Sequence, residues 1–183
     1  MGSARRLGII IFVALLPLMC AAQTEYITAT AVGQGMGIGS NFQIQITIKD
    51  YSTPEETQTL QDALKSNGTE GLSNALKRMK SHGNVSMPRT TGYELSYVRV
   101  FDTPNGRMIR MVTNRKLRPG EAWTDGPSMD YTLSAFEINI NNNGKHTGTV
   151  YPSAKISLSP EGRIVVEPWE TPWTLVNIDD KVK

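Results

Sequence analysis

Two histidines are the side chains of this chain best suited to acid–base or metal chemistry. His82 and His146 lie in separate turn-rich segments. Neither belongs to a pair of ligands at helix or strand spacing, which is how zinc sites are usually presented. Neither accompanies a serine with a nucleophile-elbow sequence. We therefore predict that both histidines are exposed to solvent, and that the chain has no catalytic residue, no metal site and no cofactor.

Three carboxylates offer a second route to chemistry. Asp125, Asp130 and Glu137 could in principle act as a general acid and base, but the separation of such groups decides whether they do. Glu137 shares a predicted strand face with Asn139, and we expect that face to be wet. Exposed Asp and Glu are the ordinary case. The pattern favours a non-enzymatic protein, with an enzyme built on these dispersed carboxylates as the least supported alternative.

A glycine-rich segment at 33–39 is the most conspicuous short motif. Glycine-rich loops that cradle phosphate lead directly into a helix, and the nucleoside-triphosphate version also carries a lysine followed by serine or threonine. Here a strand pattern follows and that lysine is missing. The segment predicts a flexible hairpin loop between the first two strands.

Tryptophan and methionine side chains are the candidate binding residues. Two tryptophans flank Pro172 near the C-terminus, where they would suit an aromatic rim over an apolar ligand or a partner surface. Methionines can line an adaptable pocket. Packing in the core and at the end of a barrel is the alternative, and we favour it. The candidate ligand-binding residues are Trp123, Trp169, Trp173, Met108 and Met111.

The first 22 residues have the pattern of a secretory signal peptide. Arg5 and Arg6 precede an apolar run over 7–19, and small residues follow. The run is too short for a transmembrane anchor. A lipoprotein would keep Cys20, but Met19 is bulky where such signals need a small residue. We predict cleavage near Ala22, export to the periplasm or beyond, and no stable membrane anchor unless Cys20 is lipidated.

Charge and cysteine content narrow the possible partners. Arg5 and Arg6 account for the whole formal excess of +2, so the chain beyond the predicted signal is neutral. Nucleic-acid binders need a clustered basic face, and we predict no nucleic-acid partner. Cys20 is the only cysteine. The predicted domain at 23–183 therefore has no disulfide and no thiol nucleophile, and must depend on hydrophobic packing.

A strand and a pair of helices open the predicted domain. Residues 41–50 alternate strictly between apolar and polar side chains, as a half-buried strand does. Thr53, Pro54 and Glu56 then form a capping-box sequence at a helix start. A break at 66–68 separates two apolar stripes at helical spacing. We predict two short helices at about 54–81, packed against the sheet.

Turns and bends define the second half. Turn sequences at 103–106, 141–144 and 159–162 predict tight antiparallel hairpins. The apolar alternation changes phase near Ala135, and Pro152 interrupts the next strand, so we predict a bulge or face-switching bend there. The fold class is α+β, mainly antiparallel β, with a barrel-like or strongly bent sheet. A two-sheet sandwich is the alternative.

Several short segments are distinctive when taken together: Thr53-Pro54-Glu55-Glu56, Asn143-Gly144-Lys145 with Gly148, Ala154-Lys155-Ile156, and Pro172 with Leu175-Val176-Asn177. In these segments the chain resembles a family of small exported bacterial proteins that carry no assigned function. The resemblance implies an extracytoplasmic β-rich domain over most of the chain, with no catalytic residues to carry over.

The expected function is that of an exported, non-enzymatic domain. A barrel mouth supplies a concave apolar site, so a small apolar ligand or a partner protein is the expected binding target. The alternative is a structural or interaction protein with a filled core and no ligand.

Overall fold

The computed structural model describes residues 23–33, 41–88, 92–117 and 133–182. Within these residues the chain forms nine strands and one helix. In chain order they are β1 (Glu25–Val32), β2 (Asn41–Ile48), α1 (Pro54–Arg78), β3 (Gly83–Ser86), β4 (Tyr93–Thr103), β5 (Gly106–Thr113), β6 (Leu133–Asn141), β7 (Thr147–Leu158), β8 (Ile164–Pro168) and β9 (Trp173–Val182).

Eight of these strands close into an antiparallel barrel. β1 to β6 pair in chain order, β6 pairs with β7, β7 with β9, and β9 returns to β1. β8 pairs with the second half of β7 and lies outside the ring. The barrel-like prediction is therefore confirmed over the sandwich. We call the end where β1 begins and β2 ends the lower end, and the opposite end the upper end.

The interior of the barrel is filled by apolar side chains from the inward positions of every strand in the ring. On β2 the predicted alternation is confirmed, because Ile44, Ile46 and Ile48 are buried while Gln43 and Gln45 are exposed. β1 contributes smaller residues, Ala29 and Ala31, beside Ile27. The larger buried residues of this inner core include Leu95, Val98, Ile109, Met111, Phe136, Ile138, Val150, Trp173 and Leu175.

α1 begins with the predicted capping box. The Thr53 hydroxyl accepts a hydrogen bond from the Glu56 backbone N–H, and the Glu56 carboxylate accepts one from the Thr53 N–H. Asn67 and Gly68 leave helical geometry, and Gly68 has a φ of 57°. The predicted helix pair is thus present as two segments of one kinked element that ends at Arg78. Among the described residues, no helix has both the length and the apolar character needed to cross a membrane.

A second core lies between α1 and the outside of the barrel. Leu60, Leu72 and Leu76 are the buried apolar residues of the helix. They join outward residues of the barrel wall and of β8: Tyr97, Val112, Leu133, Ala135, Ala154, Ile156, Ile164 and Val166. The helix therefore covers one side of the barrel and leaves the other side to solvent.

Leu76→Ala is expected to lower the free energy of unfolding by about 2–5 kcal/mol, because truncation of a buried leucine leaves a cavity. Chemical denaturation of the chain without its first 22 residues measures the change. Lys77→Ala, on the exposed face of the same turn, is the control and should change stability by less than about 0.5 kcal/mol. Equal stability of the two variants would contradict the packing of α1 on the barrel.

The predicted fault near Ala135 has a different origin from the one its sequence indicated. Leu133 and Ala135 belong to the outer core, while Phe136 and Ile138 belong to the inner core, so alternation along β6 is unbroken. Both faces of β6 are apolar there because one face lies in the core inside the barrel and α1 covers the other. A bulge is present, but β7 carries its extra residue at 152–153. After this bulge β7 exchanges β9 for β8 as its partner, as the prediction of a bend at Pro152 requires.

Candidate functional site

Trp173 packs inside the upper end of the barrel. Its side chain is 5% exposed. Phe42 meets the indole edge-to-face, with ring centroids 5.6 Å apart and planes at 84°. Gly33 lies so close that a Cβ there would be 2.2 Å from the indole Cδ1. Trp173 is therefore part of the core that fills this end, as the favoured packing interpretation expected.

Trp169 lies on the opposite side of the wall. Its side chain is 59% exposed, and its backbone N–H donates to the Ser153 carbonyl at 3.1 Å. Trp169 and Trp173 flank the short turn into β9, which sends one outward and the other inward. They do not form a shared aromatic rim. Trp123 lies outside the described residues.

The two candidate methionines lie on opposite faces of β5. Met111 is completely buried in the inner core. Met108 is half-buried and pairs with Phe101 on the outer face, on the same side as Arg110. Among the four candidate ligand-binding residues that the structure describes, only Trp173 and Met111 share surroundings, and those surroundings are the filled interior.

His82 is buried rather than exposed, so that prediction is wrong. The imidazole fits between the end of β2 and the first turn of α1, where the chain returns from the helix to the barrel. Its Nδ1 contacts the Asp50 carboxylate, and its Nε2 lies 3.3 Å from Glu56 Oε2. Lys80 donates to the second Asp50 oxygen at 2.8 Å. These contacts join the segment after α1 to the end of β2 and to the first turn of α1. The residues next to His82 in the sequence, Ser81 and Gly83, gave no sign of its burial.

The Asp50 carboxylate responds to these partners. Burial alone would raise the pKa of Asp50, but hydrogen bonds from Lys80 and His82 outweigh burial and hold that pKa below its ordinary value. The stabilisation is therefore present above the ordinary value of 3.8 and is lost as the pH falls through the lowered pKa.

The other predicted polar residues have structural roles where they are described. His146 Nδ1 accepts a hydrogen bond from the Asn141 backbone N–H at 3.1 Å in the turn between β6 and β7. Glu137 lies on the outer face as predicted, yet it is half-buried. Its oxygens accept from Arg110 Nε at 2.6 Å and from the Tyr151 hydroxyl at 3.0 Å. Asp125 and Asp130 lie outside the described residues.

Four residues at the lower end form a polar group that the sequence analysis missed, which we call the barrel-end cluster: Glu25, Tyr51, Arg107 and Asp180. Arg107 Nη2 donates to Glu25 Oε1 at 2.7 Å and to Asp180 Oδ2 at 2.8 Å. The Tyr51 hydroxyl donates to Glu25 Oε2 at 2.5 Å. Four separate segments thus meet: the start of β1, the residues after β2, the start of β5 and the end of β9.

The two carboxylates of this cluster are deeply buried, with Glu25 2% and the Asp180 side chain 9% exposed. Burial raises the pKa of Glu25 above its ordinary value, despite the opposing contacts with Tyr51 and Arg107. Burial and the neighbouring Glu25 raise the pKa of Tyr51 to about 12. The sequence did contain a signal for this cluster. Glu25 and Arg107 each come first in a series of inward-facing residues, at every second position of a strand, that continues with apolar residues.

A second missed feature lies outside the barrel, on the side that α1 leaves open. Directly paired residues share a face of the sheet. The outward positions of β9, β1, β2 and β3 therefore form one continuous surface, which we call the uncharged face: Thr174 and Val176; Tyr26, Thr28, Thr30 and Val32; Gln43, Gln45 and Thr47; and Asn84 and Ser86. Charge borders this face on two sides: Asp179 and Lys181 of β9, which pair with each other at 2.7 Å, lie opposite Thr28 and Tyr26, and exposed Glu94 of β4 lies opposite Asn84.

No protein-family model, curated protein or solved structure matches this chain. The sites differ in burial. The described candidates for ligand binding are dispersed, the two carboxylates of the barrel-end cluster are buried although Tyr51 is 40% exposed, and the uncharged face is open to solvent.

Proposed function

We propose that the protein is exported by its first 22 residues and acts as a non-enzymatic interaction domain that binds a partner protein through the uncharged face. The observation that carries this proposal is the complete lack of charge on outward positions of β1, β2 and β3, in a chain of which 20% is charged. The outward side of a solvated strand ordinarily includes Lys, Glu, Asp or Arg.

The composition of the face suits a protein interface. The core of such an interface is depleted in charged residues and enriched in aromatic ones. Tyr26, Val32 and Val176 are half of the exposed large hydrophobic residues among those described, and all three lie on this surface. Threonine and glutamine add hydrogen-bonding groups between them. The part of a partner that covers the middle of this face, around Gln43, is expected to be uncharged as well, because a charge buried there would find no counter-charge.

The filled barrel favours this function over the binding of a small apolar ligand. Met111 and Trp173, two of the candidate lining residues, already pack against other side chains of the inner core. An apolar ligand would have to displace them. Membership of a family of small exported bacterial proteins, and export itself, stay predictions.

Site-specific photocrosslinking in the source cells tests the proposal. A photoreactive amino acid at Gln45, which is exposed on the face, is expected to give one discrete adduct with a different protein, identified by mass spectrometry. Gln58 on α1 is also exposed and is the matched control position. Adding Gln43→Arg to the chain labelled at position 45 should reduce the adduct more than about tenfold, because the new charge is desolvated without a partner.

Three outcomes would overturn the proposal. One is the absence of an adduct from position 45. Another is an adduct that persists with Gln43→Arg or forms equally from position 58. The third is an adduct with a second copy of this chain, which would assign the face to self-association.

A further inference from the structure

The barrel-end cluster contains one more acidic group than basic groups. When Glu25 and Asp180 are both ionised, Arg107 balances only one of them, and a net negative charge is buried. Isolated buried charge is costly, and ionisable groups relieve that cost by binding or releasing protons. The Tyr51 phenol, with a pKa of about 12, stays neutral and donates to Glu25.

The hydrogen-bond pattern leaves a place for a proton. Arg107 and Tyr51 supply donors to both oxygens of Glu25 and to Oδ2 of Asp180. Asp180 Oδ1 is buried and has no donor among the described residues. Arg107 Nη2 contacts both carboxyls, at 2.7 Å from Glu25 Oε1 and 2.8 Å from Asp180 Oδ2, so the two groups lie close together. Two ionised carboxylates held this close repel each other, whereas a protonated carboxyl carries no charge and can donate a hydrogen bond.

The position of the cluster gives the proton a structural effect. Glu25 lies on β1 and Asp180 on β9, the strands whose pairing closes the barrel. Arg107 faces both of them from β5, and Tyr51 from the segment after β2. Asp102 on β4 pairs with Arg107 in register and is exposed, so it adds further negative charge at this end. Loss of the proton would place two like charges across the seam between β1 and β9.

We propose that the barrel-end cluster binds one proton, shared by Glu25 and Asp180, and that this proton stabilises the closure of the barrel between β1 and β9. The proton belongs to the pair rather than to either residue. This inference is independent of the proposed function, since it concerns the interior of the barrel and not its uncharged face.

The sign of the pH dependence follows from linkage. Burial raises the pKa of Glu25 above 4.5, so the folded chain retains a proton that the unfolded chain has released. The stabilisation is fully present below the unfolded value and is lost as the pH rises through the folded value. Within that window, one proton corresponds to an increase of up to about tenfold per pH unit in the unfolding equilibrium constant.

Urea denaturation of the chain without its first 22 residues, between about pH 5 and about pH 8, tests the proposal. Glu25→Gln keeps acceptor and donor groups at the site but cannot titrate. As the pH rises, the unfolding equilibrium constant of this variant should therefore increase less steeply than that of the parent, by up to about tenfold per pH unit. Asp180→Asn should have the same effect by removing the second charge, and it serves if Glu25→Gln fails to fold. Asp179→Asn, at an exposed neighbouring carboxylate, should retain the parental dependence.

Infrared spectroscopy provides a direct second measurement. The parent chain should show the carbonyl stretch of a buried protonated carboxyl that disappears as the pH rises, and Glu25→Gln or Asp180→Asn should lack the titrating band. An identical pH dependence of stability in the parent and both cluster variants would overturn the proposal. So would the absence of a titrating buried carboxyl in the parent.

Discussion

Arg107→Met is expected to lower the free energy of unfolding by about 3–5 kcal/mol at neutral pH, the cost of breaking a buried ion pair by removing one partner. Arg107 is the guanidinium that contacts both buried carboxylates of the barrel-end cluster. Methionine fills similar space without charge, so the loss reports electrostatics more than packing. Glu25 and Asp180 would then face each other across the closing seam with no cation between them.

Two further measurements separate this effect from a general loss of packing. The destabilisation should become smaller at mildly acidic pH, because a protonated carboxyl no longer needs the guanidinium. Asp180→Asn in the Arg107→Met background should recover part of the lost stability. If the two sites were independent, the effects of the two substitutions on the unfolding free energy would simply add. Arg163→Met, in the exposed turn between β7 and β8, is the matched control. A loss for Arg107→Met no larger than for Arg163→Met would contradict the charge balance described for the cluster.

Local patterns predicted much of the secondary structure. The alternation of Ile44, Ile46 and Ile48 identified β2, and Thr53 with Glu56 marked the start of α1. Each depends on residues close in the chain, where periodicity and capping act. The turns at 103–106, 141–144 and 159–162 likewise connect neighbouring strands, as their sequences predicted.

Closure of the barrel could not be predicted in this way. It depends on pairing between β1 and β9, the first and last strands, and on an irregular register between Thr28 and Thr30. Asn177, at a φ of 52°, lies opposite that irregularity on β9. The sequence of either strand does not show which strand it pairs with. For this reason the sequence left the sandwich as an alternative to the barrel.

The same limit explains what was missed at the candidate sites. Glu25 and Asp180 are 155 positions apart in the numbering of the chain and meet only after closure. His82 is buried because Asp50 after β2 and Glu56 in the first turn of α1 converge on it, and they lie 32 and 26 positions away in the sequence. Trp169 and Trp173 are the same residue type and lie close together in the sequence. Trp173 begins β9 and is buried, whereas Trp169 precedes the strand and is exposed. Residue type predicted an aromatic role for both, and topology decided which one lies inside.

Phe136→Ala is expected to lower the free energy of unfolding by about 3–5 kcal/mol, the usual cost of truncating a buried phenylalanine. Phe136 is fully buried in the inner core, and its neighbours across the sheet are Met111 on β5 and Val150 on β7. The closed barrel of hydrogen-bonded strands resists collapse into the space that the phenyl group vacates. The loss of unfolding free energy should therefore fall near the upper part of that range.

Chemical denaturation measures the effect, with Val176→Ala on the exposed outer wall as the control within about 0.5 kcal/mol of the parent. The vacated space would be apolar, and such cavities bind benzene or xenon. Benzene should therefore partly restore the stability of Phe136→Ala and leave the parent unchanged, because the parental interior is already filled. A loss below about 1 kcal/mol, or equal stabilisation of the parent by benzene, would contradict the filled barrel and revive the binding of a small apolar ligand as its function.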